Sequence, residues 1–103
     1  MTSNAEQPAV VEVKALLKPQ LMTLLEYLQT QDETTGLVYF TGLLVQLEAA
    51  EEEADLLAFC IELSKAAFVG IQYDDVSWHL TDTILADAER VSMTFLANEN
   101  QVH

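Results

Sequence analysis

At 103 residues the chain is long enough for one domain with a modest core, and half of its residues are apolar, which excludes disorder throughout. Seventeen Asp and Glu face four Lys and Arg, for a formal net charge of −13. A surface of that sign repels nucleic acid and anionic membranes, both polyanions, and attracts cationic proteins.

The chain has three Gly and two Pro, and nowhere do β-branched residues alternate with polar ones over a convincing run. Ala, Leu and Glu dominate, which indicates an all-α fold. We expect a small bundle of four to five helices forming a single domain over 1–103, with frayed polar tails at 1–7 and 99–103. The first residues lack the basic and apolar regions of a signal peptide. No apolar run reaches the roughly 18 residues that a membrane span requires. The single cysteine excludes an internal disulfide framework. The expected setting is therefore a reducing cytoplasm, without nucleic acid or membrane as partners.

Pro8 suits the first turn of a helix, where a missing N–H costs nothing. Val10, Val13, Leu16 and Leu17 mark its apolar side. Pro19 removes a helical hydrogen bond and crowds the preceding turn, so a short helix is expected to end near Leu17 and a second to begin at Pro19. That second helix presents Leu21, Leu24, Leu25 and Leu28, flanked by Met22 and Tyr27. Residues 29–35 form a polar loop, and Thr34 or Thr35 is expected to cap the helix that follows.

The centre of the chain is 36–69, two apolar segments (37–47 and 54–69) joined by an acidic node. The node holds five acids within eight residues: Glu48, Glu51, Glu52, Glu53 and Asp55. Before it, Leu37, Phe40, Thr41, Leu44, Leu47 and Glu48 recur at helical spacing, with Leu43 widening the stripe. After it, Leu56, Leu57, Cys60, Ile61, Ser64, Ala67 and Phe68 repeat the pattern. One unbroken helix over 36–69 would measure roughly 50 Å, a rod projecting from a domain whose radius of gyration is near 13 Å. A central helical hairpin turning near 49–53 is therefore expected, with one long helix paired in a dimer as the alternative. Gly42, with Ala49 and Ala50, marks a candidate close crossing of helices. The helix after the node is expected to close at Gly70. Asp74 or Asp75 caps the last helix, whose buried face reads Val76, Leu80, Ile84, Ala88, Val91 and Phe95, and Asn98 ends it.

Chemistry is sparsely signalled. Asp75, His79 and Asp82 fall at helical spacings that set an imidazole between two carboxylates, as a general base or metal ligand needs. A solvated helix face accounts for them equally simply. The second histidine, His103, is terminal, and no paired Glu-x-x-His motif supports a metal centre in a bundle. Ser64, Ser77 and Ser92 lack a strained nucleophile turn. Glu51, Glu52 and Glu53 lack the alternating ligands and the turn glycine of a calcium loop. Cys60, flanked by Phe59 and Ile61, reads as a small core hydrophobe. No catalytic, cofactor-binding or metal site is expected, and the chain does not read as an enzyme.

What remains is interaction. Trp78 departs by about 200° from the stripe through Val76, and Tyr39 lies at a stripe edge; aromatics at such margins are enriched in protein interfaces. Local folding gives no reason for five crowded acids, which repel one another. The expected function is a small acidic protein–protein interaction module, an adaptor, chaperone-like or regulatory subunit. Its partner is a basic protein, met through Glu48, Glu51, Glu52, Glu53, Asp55, Tyr39 and Trp78. It is also expected to form a homodimer through 36–69. The alternative is an inhibitor or immunity-type protein, a nucleic-acid mimic whose acids block a basic cleft. Its signature would be carboxylates along one continuous face.

Overall fold

The computed structural model describes residues 8–100, with side chains through Thr94. Helix α1 spans Pro8–Thr30, α2 Thr34–Ala49, α3 Glu53–Leu63 and α4 Asp75–Asn100, with a 3-10 turn at Ala66–Phe68. Among the described residues there is no strand. The tails at 1–7 and 101–103, which include His103, lie outside the described residues, as do the side chains of Phe95 and Leu96.

Helix α1 carries an unbroken buried seam: Val10, Val13, Leu17, Leu21, Leu24 and Leu28. The seam runs straight past Pro19, so the expected break does not occur. Magnitudes explain the outcome. Proline inside a helix costs about 3 kcal/mol, whereas each fully buried aliphatic side chain contributes roughly 1.5–3 kcal/mol, and the seam has six of them. Pro19 also faces solvent, as does Ala15, whose carbonyl is the one the proline ring crowds. One residue on, the Gln20 side-chain amide bonds back to the Leu16 carbonyl at 3.1 Å.

The helices alternate in direction. Lys18 of α1 meets Glu48 of α2, Tyr39 of α2 meets Glu62 of α3, and Gln20 of α1 meets Asp87 of α4. The region 36–69 is therefore the expected hairpin, not a long rod. α1 touches all three other helices, and the whole measures 46 × 30 × 18 Å. Phe40 and Phe59 fill the centre, ringed by leucines of α1, α2 and α3.

Several boundaries differ from expectation for local reasons. α1 ends in a Schellman motif, in which the Glu33 N–H reaches the Leu28 carbonyl (3.0 Å) and the Asp32 N–H that of Gln29 (3.2 Å). Asp32 supplies the left-handed residue at φ 55°. The cap of α2 is Glu33 rather than Thr34 or Thr35; its carboxylate accepts from the Gly36 N–H at 3.2 Å. α3 stops at Leu63, short of Gly70, and Gly70 instead turns the link to α4 at φ 81°. α4 runs to Asn100, past Asn98.

Two faces are rotated from the expected ones. On α3 the buried line is Leu56, Phe59 and Leu63, because the bulk of Phe59 claims the centre, and Ile61 and Phe68 are left exposed. On α4 the line is Ser77, Thr81, Ile84, Ala88 and Val91, while Val76 faces out. Ser77 turns inward at low cost because Asp74 satisfies it. The Asp74 N–H donates to Ser77 Oγ (2.9 Å) and the Ser77 N–H to Asp74 Oδ1 (2.8 Å), which makes Asp74 the cap of α4.

The glycines of α2 separate cleanly. Gly36 is buried, and an added Cβ would lie 3.0 Å from Leu28 Cδ1, 3.1 Å from Glu33 Cγ and 3.3 Å from Ile71 Cγ2. Gly42 is exposed with nothing within 4 Å of its Cβ position, so the expected close crossing does not occur within the chain. Gly42→Ala is therefore expected to raise stability by about 1 kcal/mol, the helix-propensity difference. Gly36→Ala is expected to lower it. Urea unfolding of both variants at low protein concentration checks the opposite signs.

Candidate functional site

The acidic node is a corner built by one of its own carboxylates. α2 ends at Ala49, and Ala50 leaves it extended, at φ −66° and ψ 136°, with its methyl buried. Asp55, in the first turn of α3, then reaches back. Its Oδ2 accepts from the Glu51 N–H at 2.9 Å and the Glu52 N–H at 3.1 Å. Those hydrogen bonds satisfy backbone donors ahead of the helix and place negative charge at the positive end of α3. They also hold the Asp55 carboxyl below its ordinary pKa. The node thus serves folding in part, which corrects the expectation that local structure has no use for these acids.

The remaining acids divide by role. Glu48, in the last turn of α2, pairs with Lys18 Nζ at 2.6 Å, and Lys14 Nζ donates to the Glu48 carbonyl oxygen at 2.8 Å. The pair is about half exposed and ties α1 to α2 with no more than about 1 kcal/mol. Glu51 and Glu52 are exposed on a turn whose backbone Asp55 fixes, the Glu52 side chain facing the Asp55 N–H in a capping box, and Glu53 is half-buried at the start of α3.

Tyr39 and Trp78 lie elsewhere. Both sit in early turns of their helices, at the end of the bundle opposite the corner. The Tyr39 hydroxyl donates to the Glu62 carbonyl in the last turn of α3, and the Tyr73 hydroxyl donates to the Ala66 carbonyl at 2.8 Å. The two tyrosines therefore tie α2 and the link before α4 to the last turn of α3 and to the 3-10 turn that follows it. Partial burial pushes both phenols up to about 12. Trp78 stands edge-on to Tyr73, with ring centroids 5.0 Å apart at 68°, and still exposes 40% of its surface. The seven candidate residues thus form two separate groups, an acidic corner and an aromatic end.

Asp75, His79 and Asp82 are all exposed on α4, and among the described residues no group of three or more His, Cys, Asp or Glu could hold a metal ion. Cys60 is half-buried, its thiol 3.7 Å from the Ala88 carbonyl, and burial raises its pKa. A thiol shifted that way is less nucleophilic, not more. It lines a shallow apolar groove of about 540 Å³ between α3 and α4, with Leu57, Ile61, Leu85, Ala88 and Met93. Sequence reasoning missed this groove, because the exposure of Ile61 depends on the phase of α3. Among the described residues no helix is long and apolar enough to cross a membrane.

Both ends of the bundle predict a pH response. Asp55 is held low by the Glu51 and Glu52 N–H groups, Asp74 by the Ser77 N–H and the Tyr27 hydroxyl, and Asp87 by Gln20 and Arg90. A carboxyl lowered by folding stabilises above its unfolded value, near 3.8, and loses that contribution as pH falls through its folded value. Tyr39 and Tyr73 act in the opposite sense. Their contribution is complete below pH 10 and is lost as pH rises toward about 12. Thermal unfolding followed against pH is expected to show a plateau with a fall on each side, below about 4 and above about 10. An ultraviolet titration should show late ionisation of the phenols. No known family, curated protein or solved structure matches this chain.

Proposed function

We propose that this chain is a protein–protein interaction module, a self-associating adaptor, chaperone-like or regulatory subunit without catalysis of its own, which docks a basic protein at its acidic corner. The observation that carries this reading is the corner itself. Asp55 locks the turn, so Glu51 and Glu52 project from a preset backbone, next to Glu53 and close in sequence to the Glu48–Lys18 pair. A preset turn loses less conformational freedom on binding than a flexible acidic loop. Excess charge at the rim speeds encounter with a basic surface and discriminates against acidic ones. The mimic alternative needs carboxylates along a continuous face. α2 contributes none beyond Glu48, which Lys18 already pairs, and the only such line is Asp75, Asp82 and Glu89 on α4, among the described residues.

The experiment replaces Glu51, Glu52 and Glu53 with Gln. The amide keeps an acceptor oxygen and the helix propensity, and Asp55 stays in place to hold the turn. The association rate with the protein recovered from host extract should fall several-fold at low salt, and its salt dependence should flatten. An unchanged association rate at low salt overturns the proposal.

A further inference from the structure

Helix α2 is the least charged element of a chain that carries −13, with Glu48 its sole charged residue in sixteen. Phe40, Leu43 and Leu47 face the core. The opposite side carries Thr35, Val38, Gly42, Val45 and Ala49, all exposed, with Val38 at 71% and Val45 at 62%. Their spacing of three, four, three and four is that of a helix-pairing seam. A helix apolar on all sides is normally covered on all sides. Gly42, at the middle of the seam, meets nothing within 4 Å and so leaves room for another backbone to approach.

We infer that this face binds a second copy of the chain, with the two α2 helices antiparallel about a two-fold axis near Gly42. Charge selects the occupant. A basic partner gains nothing from a face without free carboxylates, whereas two chains at −13 can approach each other only where charge is missing. Charge also selects the direction. The acidic corner of Glu51, Glu52, Glu53 and Asp55 follows the C-terminal end of α2, where Lys14 and Lys18 are already engaged with Glu48. Asp32 and Glu33 lie at its N-terminal end. Antiparallel pairing keeps the two acidic corners at opposite ends of the interface and opposes the helix dipoles; parallel pairing sets corner against corner.

The area is adequate for a reversible dimer. α2 is about 24 Å long, and Val69 lies beside Val38, Tyr39, Thr34 and Thr35 to broaden the face. A reversible dimer sits at the lower limit of specific interfaces, about 600 Å² per copy. This inference rests on the self-association part of the proposed function and is independent of the basic partner at the corner.

Light scattering at moderate salt, over about 1 to 100 µM as a modest interface requires, is expected to approach twice 11.5 kDa. Val45→Glu puts a carboxylate into the seam at an exposed position and should return the chain to monomer with its circular dichroism unchanged; Val38→Glu should do the same. In a Cys60→Ser background, mixing Val38→Cys chains with Val45→Cys chains should give the mixed disulfide in preference to either homodisulfide. A monomer at every concentration overturns both self-association and this surface. A dimer that survives both glutamate variants overturns the surface alone. Dominant homodisulfides overturn the antiparallel arrangement.

Discussion

The structure depends on the seam of α1. Val10, Val13, Leu17, Leu21, Leu24 and Leu28 form one line because the helix does not yield at Pro19, and every other helix packs against part of it. A break at that proline would turn the two halves of the line independently, and α2 and α4 could not both align with them. Solvent exposure of the proline makes continuity affordable, because the crowded carbonyl faces water and not the core.

The second constraint is the Asp55 carboxylate. Ala and Glu favour helix, and residues 48–55 contain neither Gly nor Pro to stop one. The chain turns because Asp55 offers the Glu51 and Glu52 N–H groups a partner outside a helical ladder, and because the Ala50 methyl is buried in the process. Asp55 makes the corner and shares a capping box with Glu52, Glu48 is paired with a lysine, and Glu51 is exposed. Folding and electrostatics thus draw on the same short segment.

The acidic corner and the aromatic cluster occupy opposite ends of the bundle, although Asp32, Glu33, Asp74 and Asp75 add acids at the aromatic end. The acidic corner lies at one end of the hairpin. Tyr39, Tyr73 and Trp78 lie at the other, where two phenols donate to the Glu62 and Ala66 carbonyls. Between them the outward side of α2 is nearly uncharged. In a chain at −13, the nearly uncharged outward side of α2 is a surface on which charge does not oppose association.

The sequence by itself determined the helical class, the main buried positions of α1 and α2, the hairpin at 36–69 and a cap at Asp74 or Asp75, because each follows from local spacing or from a side chain bonding its own backbone. It also located the acidic node. The tertiary structure decided which of two lines on α3 is buried, since 56/59/63 and 57/60/61 are both apolar and the bulk of Phe59 chooses between them. It decided that Ser77 and not Val76 turns inward, since a polar residue can be buried once Asp74 satisfies it. It decided that Pro19 is tolerated, because the compensating burial comes from other helices. It separated Tyr39 and Trp78 from the acids, because chain direction, not spacing, sets which ends of helices meet. Asp55 as a turn-maker and the bare seam of α2 required coordinates for the same reason: each is defined by what lies, or does not lie, within reach in space.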